Sequence, residues 1–130
     1  MPEPRSLARI LVGHDEIQIC RLVRDVLRPC GYEVDVTHDG RALLEQYHSG
    51  DYSLLILDTL MVQASGLEVV MTLRDRGDVV PIILMIGPRK EPDRVETFAF
   101  TYRVHVLRKP FGIGELRDMV SRALRISRPD

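Results

Sequence analysis

The feature that most constrains the fold of this chain is a regular alternation of short apolar runs with longer amphipathic segments. The runs at Ser53–Leu57 and Pro81–Ile86 are nearly continuous in apolar residues, which is typical of parallel strands buried on both faces. The segments between the runs carry apolar residues at spacings of three and four, typical of helices with one buried side. Such an alternation predicts a parallel sheet with right-handed crossovers and helices on both faces.

Five strands and five helices are predicted, within one domain over residues 8–126 that has short tails at 1–7 and 127–130. The predicted strands are Ala8–Gly13, Tyr32–Thr37, Ser53–Leu57, Pro81–Ile86 and Val104–Leu107. The predicted helices are Ile17–Arg28, Gly40–His48, Gly66–Arg76, Asp93–Phe100 and Gly112–Arg125. The second strand alternates apolar and acidic residues, which indicates a half-exposed edge strand.

Composition excludes several classes of protein. Lys plus Arg number 18 and Asp plus Glu 19, so a net charge of −1 gives no electrostatic reason to expect nucleic acid or an anionic membrane as a partner. No apolar run approaches the length of a membrane-spanning helix, and no signal peptide is visible. Only Cys20 and Cys30 are present, too few for a disulfide scaffold, so we expect a reducing, cytoplasmic location.

Charged residues follow three of the predicted strands. Asp15 and Glu16 come after the first strand, Asp58 after the third and Lys109 after the fifth. Because the carboxyl ends of parallel strands meet at one edge, two or three carboxylates and one ammonium are expected around a single crevice. This combination suits a divalent cation together with a phosphoryl group.

Each of these residues also has a purely structural interpretation. Asp58 or Lys109, taken singly, could be an ordinary solvated residue at a strand end. For Glu16, a first-turn acid that complements the helix dipole is favoured over a metal ligand. His14 is interpreted as a neutral, hydrogen-bonded loop residue, and the competing hypothesis is a transition-metal site made with Asp15 and Asp58.

The motifs ILVGHDE, LLILDTLMVQASGLEVV, PIILMIG and VLRKPF, in this order and spacing, resemble the receiver domain of bacterial two-component response regulators. The resemblance covers residues 8–124 and implies a doubly wound, flavodoxin-like sheet of strand order 2-1-3-4-5. It implies that Asp58 accepts a phosphoryl group from a sensor histidine kinase or phosphotransfer protein and that Lys109 binds the phosphoryl oxygens. It further implies that Asp15, Asp58 and the Leu60 carbonyl bind Mg²⁺, and that Pro110 follows a cis peptide bond.

Several positions depart from the pattern of that family. His14 stands where an acid is usual, Ile86 where Thr or Ser is usual, and Val106 where Tyr or Phe is usual. The glycine that usually ends the fourth helix is missing between Phe98 and Arg103. Losing one carboxylate predicts weak Mg²⁺ binding, and losing the hydroxyl and the ring predicts a weakened response to phosphorylation.

Two classes of function therefore remain. The first is a phosphoacceptor in two-component signalling, with no enzymatic activity beyond self-phosphorylation and autodephosphorylation at Asp58. The second is a pseudo-receiver that binds a protein partner independently of phosphate, on the face formed by the fourth helix, fifth strand and fifth helix. An aspartyl-nucleophile phosphatase is disfavoured, because Leu60 stands where such enzymes usually carry a second Asp.

Overall fold

The computed structural model describes residues 8–61, 63–87 and 95–126. Its strands are β1 (Arg9–Gly13), β2 (Glu33–Thr37), β3 (Leu54–Asp58), β4 (Ile82–Ile86) and β5 (His105–Arg108). Its α-helices are α1 (Ile17–Leu27), α2 (Gly40–Ser49), α3 (Gly66–Asp75), α4 (Val95–Tyr102) and α5 (Ile113–Ile126). Among these helices, none combines the length and the apolar character needed to cross a membrane.

The strands form a single parallel sheet in the order β2-β1-β3-β4-β5, as predicted. The predicted edge position of β2 is therefore confirmed. In the register of the central strands, Asp58 pairs with Met85, and Ile86 pairs with Arg108 on β5. The carboxyl ends of β1, β3 and β5 consequently open onto the same edge of the sheet.

Alternating residues of the strands pack into two apolar layers, one on each face of the sheet. Ile10 and Val12 of β1 belong to the layer covered by α1 and α5. Leu11, between them, belongs to the layer covered by α2, α3 and α4. The fully buried strands β3 and β4 contribute to both layers, which explains why their sequences are apolar without alternation.

The ends of β3, α1 and α4 differ from the prediction in an informative way. β3 includes Asp58, because Asp58 takes part in the pairing with β4 and the following N–H of Thr59 donates to the Met85 carbonyl at 3.1 Å. After α1 the chain adds a 3₁₀ turn at Arg28–Cys30, which ends at Gly31 with φ 99°. Pro29 lies at the start of this 3₁₀ turn, a position where proline is tolerated.

The fourth helix ends two residues later than predicted, at Tyr102, and positions 93 and 94 of the predicted helix lie outside the described residues. Arg103 follows with φ 57°, the left-handed conformation that glycine usually supplies at a helix end. The chain thus keeps the turn that ends the helix without the residue that adopts it most easily.

Close packing of α3 against β3 fixes the backbone at Asp58. The helix begins with a capping box, in which Ser65 Oγ accepts the Glu68 N–H at 3.2 Å and Glu68 Oε1 accepts the Ser65 N–H at 3.0 Å. The first helical residue is Gly66, and a Cβ there would lie 2.1 Å from the Asp58 carbonyl oxygen. Only glycine fits this approach without moving the strand end.

We therefore expect Gly66→Ala to lower the free energy of unfolding by about 1–3 kcal/mol, the usual cost of overpacking. The matched control is Gly114→Ala, because a Cβ at Gly114 in α5 meets nothing within 4 Å. That variant is expected to gain up to about 1 kcal/mol, since alanine favours the helix. Urea denaturation measures both, and equal effects at the two positions would contradict the close packing described for Gly66.

Candidate functional site

Three side chains from separate parts of the sequence meet at the carboxyl edge of the sheet. His14 follows β1, Asp58 ends β3 and Lys109 follows β5. Lys109 Nζ lies 3.4 Å from Asp58 Oδ1 and 3.0 Å from His14 Nε2. His14 Nε2 lies 3.5 Å from Asp58 Oδ2, so both oxygens of this carboxylate face a nitrogen. We call these three residues the carboxylate triangle.

The carboxylate triangle is largely removed from solvent. His14 is fully buried, Asp58 is 6 % exposed, and the Lys109 side chain is 21 % exposed. An ionised carboxylate buried to this degree is costly unless it is paired and hydrogen-bonded. Lys109 provides the pairing, and its backbone is held in turn by an N–H bond to the Ile86 carbonyl at 2.8 Å and by the predicted cis peptide to Pro110.

Both ring nitrogens of His14 face a donor. The backbone N–H of Glu16 donates to Nδ1 at 3.0 Å, and the Lys109 ammonium lies 3.0 Å from Nε2. A neutral imidazole carries one ring hydrogen, so it accepts a hydrogen bond at only one of these two nitrogens. Burial lowers the pKa of His14 below its usual value; the neighbouring Asp58 opposes this shift and Lys109 adds to it. A neutral imidazole at pH 7 is the consequence, in agreement with the sequence-based interpretation.

The backbone of His14 is held just as firmly. Its N–H donates to the Thr37 carbonyl of β2 at 3.1 Å, and its own carbonyl oxygen accepts from His38 Nδ1 at 3.0 Å. Cys20 Sγ also contacts that carbonyl at 3.5 Å, and Cys20 itself is buried. The residue therefore continues the β1–β2 pairing, rather than lying in a loose loop.

Asp15 and Glu16 lie beside the triangle, on its solvent side. Asp15 Oδ1 is 3.4 Å from His14 Nδ1, and both acidic residues are exposed. Within the described residues, one ligand atom each from His14, Asp15 and Glu16 lies within 4.8 Å of the others, and Asp58 is not part of this group. Glu16 is the N-cap of α1 and makes no side-chain cap bond, so its predicted place inside the first turn is wrong.

Three carboxylates lie at this edge of the sheet, those of Asp15, Glu16 and Asp58, and carboxylate oxygens are the ligands that Mg²⁺ prefers. Asp15 and Glu16 are grouped with His14, whereas Asp58 lies outside that group and faces the nitrogens of His14 and Lys109. A transition-metal site that uses His14 Nδ1 is disfavoured, because Nδ1 already accepts the Glu16 N–H and its lone pair is not free for a metal. Asp15 and Asp58 face opposite nitrogens of the ring, so a cation of either kind that is bound by both carboxylates requires them to move together.

Ile86 and Val106, the other two altered positions, are apolar residues in apolar surroundings. Ile86 is fully buried, and Val106 is half-buried and pairs with Leu84. Both pack in the apolar layer on the side of α2, α3 and α4. Neither position can offer a hydroxyl or a phenol ring to a group bound on Asp58.

One contact near α4 was missed by the sequence analysis. The guanidinium of Arg74 donates to the carbonyls of Tyr102 at 2.7 Å, Arg103 at 3.1 Å and Asp78 at 3.0 Å. These bonds tie the C-terminal end of α4 to α3. A single arginine near the end of a helix gives no signal of such a role, since most arginines there are solvated.

Comparison with known proteins places this geometry in context. The model of the response regulator receiver domain family matches residues 10–121. The chain is 36% identical over 116 residues to the uncharacterized transcriptional regulatory protein YkoG of Bacillus subtilis, covering 89% of this chain and 50% of that protein. It is 34% identical over 125 residues to the response regulator MprA of Mycobacterium avium, covering 94% of this chain and 53% of that protein.

The fold comparison agrees with the sequence comparison. The structure of the Vibrio cholerae chemotaxis protein CheY4 is similar with a TM-score of 0.79 and 27% identity, over 90% of this chain and 98% of that chain. The chain spans about half the length of the curated relatives that it matches.

Proposed function

Because the chain belongs to the response regulator receiver domain family of two-component systems, we propose that it accepts a phosphoryl group on Asp58. Receiver domains interact with histidine kinases or phosphotransfer proteins, and we propose a partner of this kind as the donor. The observation that carries the proposal is the buried Asp58 carboxylate at the sheet edge, with Lys109 Nζ 3.4 Å from Oδ1.

The chemistry depends on these two side chains. An Asp58 carboxylate oxygen attacks the phosphorus of a phosphohistidine, a P–O bond forms, and the P–N bond breaks. The departing imidazole keeps the electron pair of that bond and takes up a proton from water. Lys109, held within reach of Asp58, stabilises the negative charge of the phosphoryl oxygens. Bound Mg²⁺ would add positive charge there; the carboxylates of Asp15 and Asp58 and the Leu60 carbonyl are its proposed ligands.

We expect Asp58→Asn to abolish the mass gain of one phosphoryl group that acetyl phosphate and Mg²⁺ produce, because an amide oxygen is a poor nucleophile. Intact-mass spectrometry measures the gain. The matched control is Asp118→Asn on the exposed surface of α5, which is expected to be phosphorylated like the parent. Acid-labile phosphate that persists in Asp58→Asn would show that another residue is the acceptor.

Mg²⁺ binding is proposed to be weak, because His14 supplies no carboxylate where the family usually has an acid. We expect His14→Asp to tighten Mg²⁺ binding by about 10- to 100-fold, the range for an outer carboxylate that supports a metal. Calorimetric titration of the parent and the variant measures the difference. Tight binding by the parent, or no gain in the variant, would contradict this expectation.

A second function is favoured by the surroundings of α4. Ile86 and Val106 offer no polar group to a phosphoryl oxygen, and Arg74 ties the end of α4 to α3. A ligand without differential contacts cannot shift a conformational equilibrium. In this alternative, the face of α4, β5 and α5 binds a protein partner equally well with and without phosphate on Asp58.

The two functions differ in how far a signal spreads from Asp58. We expect the beryllofluoride mimic to change amide NMR shifts around Asp58 and to change those of α4 and β5 little. A hydrogen bond to a charged group is worth about 1.5–3 kcal/mol. Without it, the mimic loses a roughly ten- to hundredfold effect on the population ratio of the two conformations.

The double variant Ile86→Thr with Val106→Tyr is the matched test, because it restores both the hydroxyl and the ring. We expect its shift changes to spread across α4 and β5. Comparable spread in the parent would mean that another residue replaces the hydroxyl, and would favour ordinary phosphorylation-dependent signalling.

A further inference from the structure

The turn that connects α4 to β5 has a conformation that its own sequence does not favour. The Val104 N–H donates to the Ala99 carbonyl at 3.0 Å, five residues back, which is the hydrogen bond of a Schellman motif at a helix end. The residue enclosed by this bond, Arg103, has φ 57°. Glycine usually occupies this position, because a Cβ raises the free energy of the left-handed conformation. Contacts from outside the turn are therefore needed to hold it.

Arg74 of α3 supplies two such contacts. Its Nε donates to the Tyr102 carbonyl at 2.7 Å, and its Nη2 donates to the Arg103 carbonyl at 3.1 Å. These carbonyls belong to the two peptide groups on either side of the Arg103 Cα. Because both bind to one planar guanidinium, the rotation between the two peptide groups, which is φ and ψ of Arg103, is fixed. Both bonds come from an ionised donor, so they are stronger than bonds between neutral groups.

The guanidinium is itself anchored away from the turn. Its Nη1 donates to the Asp78 carbonyl at 3.0 Å. The Asp78 N–H donates to the Leu73 carbonyl at 3.0 Å, and the Asp78 carboxylate accepts from the Tyr47 hydroxyl at 2.7 Å and from the Val80 N–H at 2.9 Å. Asp78 is thus tied to α2, to α3 and to the segment that leads into β4. A rigid fork that is held at this anchor presents its other N–H groups in fixed directions.

We propose that Arg74 is a conformational clamp, which fixes φ and ψ of Arg103 in place of a glycine and so holds α4 and the start of β5 in one relative position. The clamp itself needs no phosphate on Asp58. Its role in binding rests on the second proposed function, in which the face of α4, β5 and α5 binds a partner with or without phosphate. A face that is already held in place loses less conformational entropy when a partner binds.

The protection factor of the Val104 amide hydrogen, measured by NMR hydrogen exchange, reports how often the turn opens. Arg74→Met keeps the apolar stem and removes every N–H donor, and we expect it to lower this protection by about 10- to 100-fold, the effect of losing a hydrogen bond to a charged group. Arg74→Lys keeps the charge but loses the fork, so its protection should lie between those of Arg74→Met and the parent. The matched control is Arg76→Met, an exposed position at the end of the same helix, which should leave the protection unchanged.

A glycine at position 103 tests whether Arg74 does the work of that residue. Arg103→Gly keeps the carbonyl that Arg74 binds and removes the Cβ that disfavours the turn. We expect the double variant Arg74→Met with Arg103→Gly to regain about 5- to 30-fold of the protection that Arg74→Met loses, the effect of the left-handed penalty. If Arg74→Met alone does not fold, the double variant is still expected to fold, and a double variant that also fails would overturn the proposal.

The Thr59 amide, bonded to the Met85 carbonyl at the centre of the sheet, reports unfolding of the whole domain. An equal loss of protection at Thr59 and Val104 in Arg74→Met would assign Arg74 to general stability and overturn the clamp. Full protection of Val104 in either Arg74 variant, an equal loss in Arg76→Met, or no recovery in the double variant would also overturn it.

These outcomes are separate from those of the proposed functions, because the exchange measurements use neither phosphate nor a partner. Failure of the clamp leaves the acceptor role of Asp58 intact. Partner binding that requires phosphate would overturn the second function and leave the clamp intact.

Discussion

The Asp58 carboxylate is buried at the end of the central strand, and much of the structure serves to compensate for its charge. Lys109 reaches it from β5, two strands away in the sheet, and His14 reaches it from the neighbouring strand β1. Neither contact is local in sequence. The Lys109 contact depends on the register that pairs Asp58 with Met85 and Ile86 with Arg108. The His14 contact depends on the register of β1 with β3, in which Gly13 pairs with Leu57. The backbone of Gly66 in α3 packs closely against the Asp58 carbonyl and so supports the same strand end.

The sequence predicts the sheet well because apolar runs and amphipathic segments have few alternative ways to be buried. The strand order and the two-faced helix packing are confirmed, and the meeting of Asp58 with Lys109 follows from parallel strands alone. Side-chain hydrogen bonds are a different matter, because they depend on ångström-scale positions. The contact of Lys109 with His14 and the three carbonyl bonds of Arg74 leave no periodic trace in the sequence.

The apolar surroundings of Ile86 and Val106 bear on how a change at Asp58 can be transmitted. In a packed interior, a shift spreads when side chains have two alternative sets of contacts of similar free energy. Ile86 is fully buried and lies in one apolar layer with Val106. Moving either side chain to a polar environment would expose apolar surface to water. Arg74 adds a polar restraint at the far end of α4, since moving that helix end would leave its guanidinium or the carbonyls unpaired.

The unusual positions therefore act on separate steps. His14 Nε2 lies 3.5 Å from Asp58 Oδ2, so His14 bears on the proposed transfer of a phosphoryl group to Asp58. Ile86 and Val106 pack in the apolar layer that includes α4, and Arg74 bonds the end of that helix, so these residues bear on the conformational response to the proposed transfer. In the proposed function, accepting a phosphoryl group depends on Asp58 and Lys109. The response to it depends on other residues, Ile86, Val106 and Arg74, so a loss of the response does not imply a loss of the transfer.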